Sequence, residues 1–99
     1  MSYSLRFSKQ ALDDLDRHYD YLLAFDNEIA DRATTAIRKA LAALLDFPFS
    51  ARKADADNPF LRELVIPFGS SGYVALFEIE DAETITILAV RHQREDDYH

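Results

Sequence analysis

The apolar residues of this 99-residue chain follow a helical period as far as Pro48 and a period of two from Phe60 onward. A helix buries side chains at steps of three and four, whereas a strand buries every second residue. The first half therefore predicts helices and the second half predicts strands. About 100 residues make one domain, so both halves must share a core. We expect residues 1–99 to form a single α+β domain.

The amino-terminal half predicts a short strand and two helices. Residues 3–7 alternate between apolar and polar side chains, and Ser8 is placed to cap the first helix, which should end near Phe25. Its apolar stripe consists of Leu12, Leu15, Tyr19, Leu22 and Leu23. Its opposite face should meet water through Asp13, Asp14, Asp16, Arg17 and Asp20.

A second helix should begin at Asp26 or Asn27 and end before Pro48, because proline cannot continue the helical hydrogen bonds. Its stripe is formed by Ile29, Ala33, Ile37, Leu41, Leu44 and Leu45. The connection between the two helices is very short. The pair therefore predicts an antiparallel helical hairpin.

The carboxy-terminal half predicts three strands. Residues 49–59 are polar and lack a period, which indicates a surface loop. Residues 60–66, 73–80 and 84–91 have strand character, and the segment Ile87–Val90, apolar on both faces, predicts the most deeply buried strand. We expect the order β-α-α-β-β-β, with the helical hairpin packed on one face of a small, mainly antiparallel sheet.

Composition excludes several kinds of chemistry. The chain has no cysteine, so disulfides, thiol catalysis and cysteine-ligated metals are excluded. Eleven basic and 18 acidic side chains give a net charge of −7, which opposes direct binding to nucleic acid. Most acids of the second half form two groups, Glu78, Glu80, Asp81 and Glu83 around the last predicted hairpin and Glu95, Asp96 and Asp97 in the polar tail of residues 92–99.

Sequence features that would indicate export or membrane insertion are not found. The first residues lack the pattern of a secretory signal. The longest apolar run, residues 40–45, is far shorter than the roughly 20 residues of a membrane helix. We expect a cytoplasmic protein without membrane association.

For several polar residues we expect a structural position and not a chemical function. His18, His92 and His99 have no metal-ligand spacing, and we expect His18 on a helix surface and no metal or cofactor. Ser70 and Ser71 should be turn residues with no activating histidine nearby. Arg62 should be solvated or ion-paired, and Arg52 and Lys53 should lie in a solvated loop.

Three strings resemble the RelE/ParE superfamily of bacterial toxins. They are Leu61-Arg-Glu-Leu-Val-Ile-Pro67, Ser71-Gly-Tyr-Val-Ala-Leu-Phe77 and Ile87-Leu-Ala-Val-Arg-His-Gln-Arg-Glu95. Together with the size and element order, this resemblance covers the whole chain. It implies a toxin of a type II toxin–antitoxin system, neutralised by a cognate antitoxin that adds a helix or strand to its surface.

The superfamily contains two activities, and the resemblance helps to choose between them. RelE-like members cleave mRNA on the ribosome, and ParE-like members inhibit DNA gyrase. Phosphoryl chemistry needs cations to stabilise the charge that develops on the phosphate. Aligned on Ser70-Ser-Gly-Tyr73, the nuclease cation positions hold Val65, Pro67 and Val74. Arg94 is retained with Glu95 beside it, and Tyr98 matches the nuclease tyrosine only after a two-residue shift.

We therefore predict a ParE-like toxin that binds a protein target, DNA gyrase, through Arg91, His92, Arg94 and Tyr98. These arginines could instead pair with the tail acids while Tyr98 packs on the helices. One alternative function is a ribosome-dependent mRNA endonuclease that uses Arg94, Tyr98 and His92. Another is a detoxified family member that only binds an antitoxin.

Overall fold

The computed structural model describes residues 3–93, in which two α-helices pack on one five-stranded sheet. The elements, in chain order, are β1 (Ser4–Phe7), α1 (Lys9–Leu23), α2 (Asn27–Ala43), a 3-10 helix (Pro48–Ser50), β2 (Arg52–Asp55), β3 (Asn58–Phe68), β4 (Ser71–Ile79) and β5 (Thr84–His92). The strand order across the sheet is β1-β5-β4-β3-β2. Only the β1–β5 pair is parallel. The predicted α+β class, with a helical hairpin on a mainly antiparallel sheet, is confirmed.

Side-chain caps determine where both helices begin. Ser8 Oγ accepts a hydrogen bond from the Ala11 N–H at 3.0 Å. Asp26 Oδ1 accepts from the N–H groups of Glu28 and Ile29 at 2.7 and 3.3 Å. These oxygens satisfy backbone donors that have no partner in the first turn of a helix. α1 ends at Leu23, two residues before the predicted end, and Pro48 occupies the first position of the 3-10 helix.

The loop predicted for residues 49–59 contains a strand. β2 pairs with β3 through Arg52 opposite Glu63 and Lys53 opposite Arg62. All four residues of β2 are exposed. A strand that buries no side chain has no apolar period, so the pattern of the sequence could not distinguish β2 from a loop.

The most deeply buried strand is β4 rather than β5. β4 lies at the centre of the sheet, and its Tyr73, Ala75, Phe77 and Ile79 are buried. In β5 the register shifts, because Leu76 lies opposite Ala89 whereas Phe77 lies opposite Ile87. Leu88 is the extra residue of this β-bulge, and it places Ile87 and Val90, three positions apart, in the same core. The apolar run therefore reflects a bulge and not burial on both faces.

The buried face of α1 is rotated from the stripe that the sequence predicted. Leu12 is 50% exposed and Leu23 is exposed as well, whereas Ala11, Asp14 and His18 are buried. α2 buries Ala30, Ala33, Ile37 and Leu41, in better agreement with the predicted stripe. The helices cover the sheet face that carries Ile66, Phe77, Ile85 and Ile87, which we call the inner face, and the opposite side is the outer face.

One glycine lies in the turn between β3 and β4, and a second lies just after it, at the start of β4. Gly69 has φ +62°, a left-handed conformation, and an added Cβ would contact nothing within 4 Å. Gly72 has φ +154°, and its Cβ would lie only 2.2 Å from the carbonyl oxygen of Ile66. Gly69 is therefore required for its backbone angle alone, whereas Gly72 is required for both its angle and the space around it.

We expect Gly72→Ala to destabilise the protein far more than Gly69→Ala. The Gly69 variant should lose about 1–2 kcal/mol, the cost of a left-handed alanine. The Gly72 variant should lose about 3 kcal/mol or more, because backbone strain adds to a clash with a main-chain oxygen. Urea denaturation of both variants measures the difference, and equal losses would contradict the close approach at Gly72.

Tyr19 connects the two helices near the surface. Its hydroxyl donates a hydrogen bond to Asp31 Oδ1 at 3.2 Å. The negative charge of Asp31 and this hydrogen bond raise the pKa of Tyr19 above its ordinary value of 10.0. Both causes favour the protonated phenol.

This raised pKa predicts a loss of stability at alkaline pH. The unfolded chain releases the tyrosine proton first, so the contribution of Tyr19 is complete below pH 10 and is lost as the pH rises through the higher folded pKa. An NMR titration should detect Tyr19 ionising later than a model tyrosine. Asp31→Asn should lower its pKa, and an unchanged pKa in that variant would contradict the assignment of the cause.

Candidate partner-binding site

The site begins where β1 ends and leaves one side of β5 without a neighbouring strand. The last β1–β5 pair is Phe7 opposite Ile87. The next residue, Ser8, donates its backbone N–H to the Ile87 carbonyl at 2.9 Å and its hydroxyl to the Leu88 carbonyl at 2.9 Å. The residue that caps α1 therefore also begins to satisfy the open side of β5.

Two side chains of α1 satisfy the next open position, Val90. Asp14 Oδ2 accepts from the Val90 N–H at 2.9 Å. His18 Nε2 lies 2.7 Å from the Val90 carbonyl oxygen, and because a carbonyl can only accept, Nε2 carries the hydrogen and donates it. One turn of helix thus supplies both partners that a neighbouring strand would offer. We call this arrangement the Val90 clamp.

The Val90 clamp overturns the prediction that Asp14 and His18 face water. Asp14 is only 4% exposed and His18 only 7%. The second oxygen of Asp14 accepts from Gln10 Nε2 at 2.7 Å and from Arg17 Nη2 at 3.3 Å. These bonds compensate for the burial of the carboxylate. The sequence contains a signal for the burial of Asp14 and His18, because the apolar residues Ala11, Leu15 and Leu22 lie on the same helical face.

A cleft of about 560 Å³ lies beside the clamp, between α1 and the turn that joins β3 to β4. It is lined by Arg17, His18, Tyr21, Leu22, Ser70, Ser71, Tyr73 and His92. The Tyr73 ring contacts His18 edge-on at 5.0 Å and His92 edge-on at 5.3 Å between centroids. Aromatic rings beside polar groups are typical of surfaces that bind another protein.

His92 is held in this cleft by a serine. The Ser71 hydroxyl lies 3.2 Å from His92 Nε2. The prediction that no histidine lies near Ser71 is therefore wrong, because pairing of Tyr73 with His92 brings the start of β4 beside the end of β5. Two residues 21 positions apart in sequence meet through this register, which local spacing does not reveal.

Only part of the predicted target-binding set falls within the described residues, and that part is divided. His92 lines the cleft on the inner side, whereas Arg91 lies on the outer face and contacts Glu63 at 3.4 Å. Adjacent residues of a strand point to opposite faces, so the sheet separates them. Arg94 and Tyr98 lie outside the described residues, and their contribution to a target-binding surface stays a prediction.

The outer face of the sheet is apolar beside Arg91. Val65, Val74 and Arg91 occupy one row across β3, β4 and β5. The adjacent row consists of Glu63, Leu76 and Ala89. Glu63 pairs with both Arg91 and Arg52, at 3.4 and 3.1 Å. Val65 and Val74 are the positions that the sequence alignment matched with cations of the nucleases. They are neighbours on adjacent strands, and both are apolar.

Arg62 has a structural function that neither sequence interpretation described. Its guanidinium donates to the carbonyl oxygens of Pro59, Phe49 and Ala51 at 2.7, 3.1 and 2.8 Å. It also lies 5.2 Å from the centre of the Phe49 ring, a cation–π contact. Arg62 is therefore a half-buried residue that fixes the segment leading into β2 and β3, and within residues 3–93 it forms no ion pair with an acid.

Within residues 3–93, no group of three or more His, Asp or Glu could hold a metal ion. In the same part of the chain, neither helix is both long and apolar enough to cross a membrane.

The fold of this chain, a helical hairpin on one face of a mixed sheet, is shared by chains of solved toxin–antitoxin systems. The chromosomal ParDE toxin–antitoxin system of P. aeruginosa contains a chain with TM-score 0.72 and 23% identity, covering 92% of this chain and 96% of that one. The RelBE2 toxin–antitoxin complex of Mycobacterium tuberculosis gives 0.62 and 21%, with 94% and 100% coverage. A conserved hypothetical protein of Helicobacter pylori gives 0.54 and 19%, with 95% and 97% coverage.

A family model resolves the branch. The model described as ParE toxin of type II toxin–antitoxin system, parDE, matches residues 5–97. The chain therefore belongs to the ParE toxin family, as the sequence strings indicated. No protein of curated function is significantly similar to it.

We expect removal of either side chain of the Val90 clamp to destabilise the fold. Asp14→Ala leaves a buried N–H without a partner, and His18→Phe leaves a buried carbonyl, at a cost of about 1–3 kcal/mol each. The control is Asp13→Ala, which removes only an exposed ion pair with Lys9 and should cost less than about 0.5 kcal/mol. Thermal unfolding measures all three, and a harmless Asp14→Ala would contradict the proposed importance of the clamp.

Proposed function

We propose that the protein is a ParE-like toxin that arrests growth by binding a protein target, DNA gyrase, and that a cognate antitoxin neutralises it. Membership of the ParE family supports the class. The observation that favours target binding over RNA cleavage is the outer-face row of Val65 and Val74. Two valines cannot stabilise the charge of a phosphoryl transition state.

The surroundings of this row add to the argument against a nuclease. Arg91, which lies opposite Val74 on β5, forms an ion pair with Glu63. A carboxylate that already neutralises an arginine weakens its attraction for phosphate. The net charge of −7 opposes RNA binding further. An apolar row flanked by ion pairs is better suited to a protein surface.

The proposed target surface extends from the end of β5 into the tail, through Arg91, His92, Arg94 and Tyr98. Arginine and tyrosine are enriched among the residues that carry most of the energy of protein interfaces. In this proposal His92, held by Ser71, and Arg91, held by Glu63, are ordered contacts on the two sides of the strand end. Ordered side chains lose less entropy on binding.

The antitoxin is proposed to use an edge of the sheet. β2 forms one edge, and all four of its residues are exposed. An edge strand offers unpaired N–H and C=O groups to an added strand of another chain. The ParDE and RelBE2 structures are toxin–antitoxin systems of related fold, which supports an antitoxin as partner for this chain.

Two purified assays separate gyrase inhibition from RNA cleavage. Gyrase-catalysed supercoiling of a relaxed plasmid should be inhibited by the protein, and mRNA on programmed ribosomes should stay intact. In cells, induction should cause filamentation and a DNA damage response while translation continues. Cleaved transcripts with normal supercoiling would support the endonuclease instead, and normal growth would support a detoxified member.

We expect Arg94→Ala to weaken gyrase inhibition by roughly 10-fold or more, the typical effect of losing an interface anchor. Lys39→Ala is the matched control, since it removes one positive charge from an exposed position of α2. The supercoiling assay measures the inhibitory concentration, and circular dichroism verifies that both variants are folded. Full potency of the Arg94 variant would exclude this residue from the target surface.

A further inference from the structure

A second cleft, of about 410 Å³, lies at the opposite end of the sheet from His92. Its apolar wall is formed by Tyr3, Phe49, Phe60 and Ile79. Phe49 is 47% exposed and Phe60 is 49% exposed, and their rings meet edge-on with centroids 6.2 Å apart. Its volume lies within the roughly 300–1,000 Å³ that is usual for pockets that bind ligands. We call it the Phe49–Phe60 cleft.

The aromatic pair is held in position by the chain itself. Arg62 binds the Phe49 and Pro59 carbonyls and contacts the Phe49 ring. Phe60 belongs to β3 and directly follows Pro59. Two large apolar side chains therefore stay half in water although they are fixed by hydrogen bonds around them. Exposed aromatic rings in a fixed concave surface indicate a binding site for another molecule.

The acidic residues of the cleft favour a positively charged ligand. Glu78, Glu80 and Asp81 line the cleft, and no basic residue is among the described residues that line it. Within residues 3–93, no ion pair neutralises any of these three acids. Glu80 accepts a hydrogen bond from the Thr86 hydroxyl, and Asp81 accepts from the Glu83 N–H at 2.8 Å. The hairpin thus orders Glu80 and Asp81, and with Glu78 they place three acidic residues in the cleft lining.

We infer that the Phe49–Phe60 cleft binds an arginine or lysine side chain from a basic, partly apolar segment of a partner protein. A cation is attracted by both aromatic faces and carboxylates, and its aliphatic stem can pack on Phe60 and Ile79. Arg62 on Phe49 shows that one of these rings already accepts a guanidinium within the chain. The cleft lies apart from the proposed target surface at the end of β5, so this site is independent of gyrase binding.

A peptide titration followed by NMR tests the inference on the full chain. The probe is acetyl-Leu-Arg-Arg-Leu-amide, and its neutral counterpart is acetyl-Leu-Gln-Gln-Leu-amide. The arginine peptide should shift the amide signals of residues 78–82 and of Phe49 and Phe60 in a saturable way. The neutral peptide should bind roughly fivefold more weakly or not at all, and added salt should weaken the arginine peptide only.

Two pairs of variants locate the binding. Glu78→Gln should raise the Kd of the arginine peptide by roughly fivefold. Glu83→Gln removes the same charge from the same hairpin outside the cleft lining and should leave the Kd within about twofold. Phe60→Leu should weaken binding through loss of the aromatic face, whereas Phe25→Leu, at an exposed aromatic elsewhere, should not.

Each remaining outcome would overturn the inference. Equal binding of the two peptides would show a merely apolar site, and shifts outside the cleft would place the site elsewhere. The same shifts on raising the protein concentration without peptide would make a second copy of the chain the occupant. Dispersed spectra of every variant verify folding, and the result does not depend on whether gyrase is the target.

Discussion

The structure depends on how β5 completes its hydrogen bonds after β1 has ended. A parallel edge strand of four residues cannot cover a strand of nine, so the backbone groups of Val90 need other partners. Asp14 and His18 supply them from α1, with Ser8 bridging the change from strand to helix. The position of α1 on the sheet is therefore set by directional bonds as well as by apolar contact, and the cleft with His92 forms along the same helix.

The clamp also explains why two polar residues are tolerated in a small core. A buried carboxylate without partners would cost several kcal/mol, because charge is poorly solvated in a protein interior. Asp14 receives three hydrogen bonds, one each from Val90, Gln10 and Arg17. His18 adds an edge-on contact with Tyr73 to its bond with Val90. The polar pair thus specifies one docking angle for the helix, which apolar side chains alone would leave less defined.

Much of the architecture could be predicted from residue spacing, because most elements bury one face and carry the corresponding period. The exceptions have physical causes. β2 buries no side chain, and the bulge at Leu88 makes a one-sided strand resemble a two-sided one. Asp14 and His18 share a helical face with Ala11, Leu15 and Leu22, but helical spacing does not show that their partners are the backbone groups of Val90 in a strand more than 70 residues away. The candidate site was less predictable than the fold, because it depends on strand register. The register brings Ser71 beside His92, and it places Arg91 on the opposite face of the sheet from His92.

The bulge at Leu88 has a wider effect on how the chain leaves the fold. One additional residue reverses the alternation of β5, so it decides which side of the sheet each later residue faces. If the same residues formed a regular strand with Leu88 paired, Arg91 would lie over the helices and His92 would lie on the outer face. The bulge thus places His92 on the helical side and Arg91 on the outer face at the end of β5. The chemistry of each surface at this end of the sheet therefore depends on strand pairing as well as on sequence, because regular pairing beyond Ile87 would exchange the faces of Arg91 and His92.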